Sequence, residues 1–241
     1  MIRKVSGIEW TILTIGLIIF IFAIWYTYIQ HSAPTLKDVK LAPYYGTKDD
    51  MLKDIENGDL VFMAGRSKGE KTCAWFLKSP FTHVGLLFWE RHPSTSENIL
   101  YIFDCDLGQK SKEGVRVMNF EDKLKQYRGE DVIAIKKLNV PAYASRPSTQ
   151  NFVDEIGKFI NIDFDNKMLT WYFSNLGTIS YIFKNKNKMF CSELVAEVYQ
   201  NLSIMKKNKK AYSYNPGDFF RGDVSMQLGY SLSNPTFFKF R

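Results

Sequence analysis

The sequence predicts an α+β domain carried behind one membrane-crossing helix. Three observations support this. Short apolar or alternating runs bounded by polar loops gather before residue 140, helical periodicity dominates after it, and an uncharged run of twenty residues precedes both. The 241 residues suffice for one core-bearing domain of roughly 200 residues and a terminal extension.

The uncharged run is Trp10 to Ile29, "WTILTIGLIIFIFAIWYTYI". As a helix it matches a hydrocarbon core of about 30 Å. Trp10 at one end, and Trp25, Tyr26 and Tyr28 at the other, suit the two membrane–water interfaces. The basic start "MIRK" is shared with signal peptides, but the run is long for their apolar region, and the proline of "HSAP" disfavours cleavage. Residues 1–30 are therefore read as a retained N-terminal anchor of a single-pass membrane protein. Arg3 and Lys4 before it balance Lys37 and Lys40 after it, so charge sets no orientation. Residues 31–50, with two prolines and no apolar period, read as a linker, and residues 51–241 as the domain.

Within the domain, "MLKDIENGD" suggests a short helix turning into the strand "DLVFMAG" (59–65). "SKGEKTCAWFLKS" reads as a loop and helix, and "THVGLLFWE" as a strand. The polar "RHPSTSEN" makes a hairpin with "ILYIFDC" (99–105). "GVRVMNF" and "DVIAIKKL" are further strands, separated by the helical "FEDKLKQY". Residues 148–160 have a Ser/Thr start and helical spacing at Phe152, Ile156 and Ile160. Residues 189–202 place Leu194, Val195, Val198, Tyr199 and Leu202 on one stripe of a second helix.

The net charge of +7 is concentrated in "KNKNK" (184–188) and "KKNKK" (206–210). Such runs attract anionic surfaces, and they are equally ordinary in solvated loops. No nucleic-acid-binding signature accompanies them, so no nucleic-acid partner is expected. Three cysteines, Cys73, Cys105 and Cys191, form no disulfide framework in a chain of this size. With no metal-ligand cluster and no phosphate-binding glycine loop in the sequence, no cofactor is expected either.

Cys191 opens the second helix, where the positive end of the helix dipole and unpaired N–H groups favour a thiolate. The competing reading is a small buried hydrophobe. A thiol nucleophile needs a base that returns the proton to the leaving group, a role suited to imidazole. His31 follows the anchor and His92 lies in a polar loop, which leaves His83, at the head of an apolar strand, best placed of the three. A third group should orient the ring. Asp104 lies within the apolar strand expected to pair with that of His83; Asp106, Glu90 and His92 are its competitors, and strand parity does not separate Asp106 from Asp104.

The order "NGDLVF", "SPFTHVGLLF", "YIFDC" and, much later, "FCSELVAEVY" resembles the circularly permuted branch of the NlpC-type papain-like superfamily, with its YiiX-like bacterial hydrolases, their poxvirus relatives and, more distantly, lecithin:retinol acyltransferase. "NIDFD" (161–165) and the Pro-x-Asp of "YNPGDFF" (214–220) are similar to further elements of that branch. The resemblance covers about residues 55–220. It implies a permuted papain-like domain with an antiparallel sheet, in which the histidine strand precedes a C-terminal cysteine helix. It also implies Cys191 as nucleophile, His83 as base, and Asp104 as third group where YiiX-like relatives usually carry the longer Glu. The expected function is a membrane-anchored cysteine hydrolase or acyltransferase working through a thioester. Its partners would be the lipid bilayer and an acyl-containing substrate, with lipid-derived bonds favoured over peptides. A cysteine peptidase, or a non-catalytic membrane or assembly protein keeping the same core, is the alternative.

Overall fold

The computed structural model describes residues 7–40, 43–64, 68–92, 94, 96–106, 114–127, 132–160, 162–164 and 187–240. In chain order the elements are α1 (Gly7–Ser32), α2 (Lys48–Asp54), β1 (Leu60–Met63), α3 (Lys68–Leu77), β2 (His83–Arg91), β3 (Asn98–Asp106), β4 (Gly114–Asn119), α4 (Phe120–Leu124), β5 (Val132–Lys136) and β6 (Leu138–Asn139). They continue with α5 (Thr149–Gly157), β7 (Asp163–Phe164), β8 (Lys188–Met189), α6 (Cys191–Asn201), α7 (Pro216–Arg221), β9 (Ser231–Leu232) and β10 (Thr236–Lys239). The stretch Thr14–Ser32 of α1 is long and apolar enough to cross a membrane, a property shared by signal sequences and some core helices.

A six-stranded sheet of order β10-β5-β1-β2-β3-β4, antiparallel throughout, forms the centre. The expected hairpin is β2–β3, with Leu86 opposite Phe103 and Arg91 opposite Asn98. Side-chain alternation divides the core into two layers. Leu60, Phe62, Val84, Leu86, Phe103 and Cys105 pack on one face beneath α5 and α6. Val61, Met63, Leu87, Ile102, Ile133 and Ile135 pack on the other beneath α2 and α4. On α6, Leu194, Val195, Val198 and Tyr199 are buried, as their spacing predicts.

Three differences from the sequence reading have simple causes. α5 stops at Gly157, so Ile160 leaves the apolar stripe and is exposed. Two pairs of very short strands, β6–β9 and the parallel β7–β8, are too brief to leave a periodic signal. The short helix expected from Met51, α2, starts three residues earlier, inside the stretch read as a linker, because a Thr47–Asp50 capping box fixes its first turn. Just before it, Pro43 to Tyr45 run beside β10: Tyr45 N donates to Phe237 O at 2.8 Å and Phe237 N to Pro43 O at 2.9 Å.

The "NGD" preceding β1 ties these parts together. Asn57 Oδ1 accepts from Trp89 N at 2.7 Å. Gly58 has φ +88°, and an added Cβ would lie 3.0 Å from Leu138 and 3.1 Å from Phe152, so only glycine fits. The Gly58 carbonyl accepts the Tyr199 hydroxyl of α6. Buried Asp59 accepts from Glu56 N at 2.9 Å, Leu138 N at 2.8 Å and Arg146 Nη1 at 3.3 Å. Burial raises its pKa, against the pull of those N–H groups, Lys137 and Arg146. Removing this carboxylate strands several donors. Asp59→Ala is expected to cost about 3 kcal/mol in equilibrium unfolding of the full chain in mild detergent, and Asp59→Asn less, because one acceptor oxygen remains.

Candidate active site

β2 begins with His83, whose backbone stands opposite Met63 of β1. Its ring nitrogen Nε2 lies 3.0 Å from Oδ2 of Asp104 on β3. Of the four candidate third groups, Asp104 is the one placed against His83, and the shorter Asp side chain spans the gap. Glu90 and His92 lie toward the far end of β2, Glu90 roughly 23 Å away at 3.3 Å per residue. The His92 ring bonds locally to Ser94 Oγ at 2.9 Å. Asp106 closes β3 opposite Gly114.

Two residues on from His83, Gly85 makes room for the Ile102 side chain: an added Cβ would lie 2.6 Å from Ile102 Cδ1 and 3.5 Å from Asp104 Cβ.

Asp104 has no solvent exposure, and its other partners are cations. Arg116 Nε donates to Oδ1 at 3.0 Å from the register-matched position on β4. Lys123 Nζ lies 3.1 Å from Oδ2, and this lysine of α4 is itself only 2% exposed. Burial alone would raise the carboxyl's pKa. The His83 hydrogen bond and charge, followed by Lys123 and Arg116, override it and hold the group well below the usual carboxylate range. An ionised carboxylate only accepts, so the bond assigns the proton to Nε2 and leaves Nδ1 as the basic nitrogen of the neutral ring. Sequence reasoning found Asp104 but missed Lys123 and Arg116. Parity across the β3–β4 ladder could have signalled Arg116.

Cys191 is the first residue of α6, and its N-cap, Phe190, contributes no side-chain hydrogen bond to the helix start. The residue is 1% exposed and belongs to the core layer that holds Cys105, Val84 and Leu86. Cys105 donates its thiol to Met189 O at 3.1 Å, pinning the strand that leads into α6. Ser192 Oγ donates to Tyr214 O at 2.9 Å, pinning the helix start from the other side.

By strand alternation His83 and Asp104 belong to the opposite layer, with Met63, Leu87 and Ile102. The structure thus joins His83 to Asp104 directly, and the described hydrogen bonds do not join either to Cys191. The Pro-x-Asp element is a helix cap: Asn215, Pro216 and Asp218 form a capping box that starts α7. Of "NIDFD", Asp163 and Phe164 form β7, while Asn161 and Asp165 lie outside the described residues.

Residues 54–218 match the permuted papain-like amidase enzymes of the YaeF/YiiX type, the C92 family. The chain belongs to that family. Its domain is the family's α+β, permuted papain-like fold with an antiparallel sheet. Among solved structures, the crystal structure of the metalloprotein YiiX from Escherichia coli O157:H7 is similar, at 20% identity and a TM-score of 0.40. The match covers 61% of this chain and 65% of that one, less than two thirds of the YiiX chain. Among curated proteins none matches. Among the described residues no group of three or more His, Cys, Asp or Glu side chains is gathered to hold a metal ion.

The depressed Asp104 pKa sets a pH dependence of stability. The folded value lies below the unfolded one of about 3.9, so the stabilisation is complete above that pH and is lost as pH falls toward the folded value. Asp104→Asn is expected to be less stable than the parent by about 3 kcal/mol at neutral pH, because buried Lys123 and half-buried Arg116 lose their counter-charge. That gap closes progressively below about pH 4, as unfolding measured at a series of pH values will show.

Proposed function

We propose that the chain is a membrane-anchored cysteine hydrolase or acyltransferase that cleaves an acyl ester, thioester or amide, with lipid-derived substrates favoured over peptides. The His83–Asp104 pair carries this reading, since it orients an imidazole with Nδ1 as its base. The thiol of Cys191 gives its proton to Nδ1, and the sulfur attacks the acyl carbon. Backbone N–H groups at the start of α6 stabilise the oxyanion. Collapse of the tetrahedral intermediate breaks the bond to the leaving group, which takes the proton from His83, and a thioester remains. Water or an acceptor hydroxyl or amine, deprotonated by the same nitrogen, then releases the acyl group and restores the thiol.

Asp104, locked by Arg116 and Lys123, fixes the tautomer through both steps. For this chemistry the Cys191 side chain must reach the imidazole around the start of β2, the end of the strand at which His83 stands. The apolar length of α1 supports the anchor, and the anchor supports a substrate held in or at a bilayer.

A second reading, a non-catalytic membrane protein that keeps the papain-like core, draws on the burial of Cys191 and its place in the opposite layer. A thiol-directed acylating probe separates the two. In a Cys73→Ser background, which removes the half-exposed thiol, the catalytic reading has Cys191→Ala abolish labelling and His83→Ala slow it by about 10²-fold or more. Labelling that is the same in the parent and both variants excludes it. Release assays on acyl-lipid and peptide panels then assign the substrate class, with turnover of acyl lipids expected.

A further inference from the structure

The last turns of α1 are docked on α3. Ile29 is fully buried and Ala33 nearly so. Gln30 Nε2 donates to Thr72 Oγ1 at 3.1 Å. The Trp25 ring meets Trp75 edge-on at 6.2 Å and Phe76 at 6.4 Å, and Trp75 and Phe76 themselves lie 5.0 Å apart. α1 is one unbroken helix from Gly7 to Ser32, so the depth of each of its residues along the helix is fixed relative to the others.

Trp25 lies four residues before Ile29, the end of the uncharged run, which is about 6 Å at 1.5 Å per residue. Whatever touches Trp25 shares its depth. When the uncharged run fills the hydrocarbon core, Trp75 and Phe76 therefore sit a few ångströms inside the boundary, the depth at which interfacial helices bury their apolar face. The composition of α3 fits that position. Trp75 and Phe76 are half-exposed, and Lys71 and, just past the helix end, Lys78 are exposed, able to reach up to the headgroups.

We propose that α3 is an interfacial helix whose partner is the lipid bilayer, so that α1 and α3 together seat the domain on the membrane. This rests on the reading of α1 as a membrane span. It also ties the bilayer to the candidate site. The carbonyls of Leu77 and Lys78, at the end of α3, accept from Arg221 Nη1 of α7 at 3.2 and 3.3 Å. From there the chain runs through buried Ser79, Phe81 and Thr82 into His83. Five residues separate the end of α3 from His83, so an acyl chain leaving the bilayer beside α3 meets the strand that carries the base.

Nitroxide depth measurements test this in the full chain reconstituted into phosphatidylcholine nanodiscs. The background is Cys73→Ser with Cys191→Ala, so that the proposed nucleophile takes no label, and Cys105 is left in place because it is buried. Labels go on Lys71→Cys and Lys78→Cys beside α3, on Phe20→Cys in mid-span, and on Tyr143→Cys, where the parent side chain is 72% exposed on the domain surface. The expected result is a deep, oxygen-accessible label at position 20. Positions 71 and 78 should show accessibility to a water-soluble nickel reagent several-fold below that at 143. Labels at 71 and 78 as nickel-accessible as at 143, with position 20 deep, overturn the interfacial helix and leave the span intact. A nickel-accessible label at position 20 overturns the span, and the proposal with it.

Discussion

A carboxylate with no access to water constrains the heart of the domain. Asp104 stands near the open end of an apolar hairpin, where an unpaired charge would be prohibitive, so the surroundings must deliver hydrogen-bond donors from three directions, two of them cations. β4 must hold a register that places Arg116 opposite it, α4 must turn back onto the sheet so that a lysine can be sacrificed to the interior, and β2 must start with the histidine. Each requirement limits where its element can sit. The helix α4, of only five residues, has little intrinsic stability, and the ion pair adds a specific attachment to the hydrophobic one made by Phe120 and Leu124.

Local pattern made much of the fold legible before any coordinates. Alternation marked the strands, the polar "RHPSTSEN" marked the hairpin, and the apolar stripe from Leu194 to Tyr199 marked the cysteine helix. The family pattern supplied what periodicity lacks, the pairing of elements more than a hundred residues apart. What escaped was non-local. Lys123 in "FEDKLKQY" has the sequence context of any solvated helical lysine, and only the strand beneath explains its burial. The closing strand β10 is four residues long and is specified by β5 rather than by its own pattern. The "NGD" and "NPGD" elements were recognised as resemblances, and their physical content, a buried hydrogen-bond knot and a helix cap, emerged only with the neighbours in place.

The candidate site divides along the same line. The His83–Asp104 pair could be anticipated because both residues lie on strands read as one hairpin, and the family pattern chose Asp104 among its competitors. The position of Cys191 relative to them depends on how α6 meets the sheet, and the sequence holds no register for a helix against a strand. The thiol consequently enters the core layer beneath α6, while alternation assigns the imidazole to the other.

The seam between Pro43–Tyr45, β10 and β5 carries a consequence for biosynthesis. β5 lies between β1 and β10, and β10 is among the last residues of this sequence to leave the ribosome. Until Thr236 to Lys239 emerge, one edge of β5 has no strand to pair with, and the peptide groups of residues 43–45 lack their partner. The domain thus passes through an open-edged intermediate before its last strand pairs, the state in which chaperones matter most.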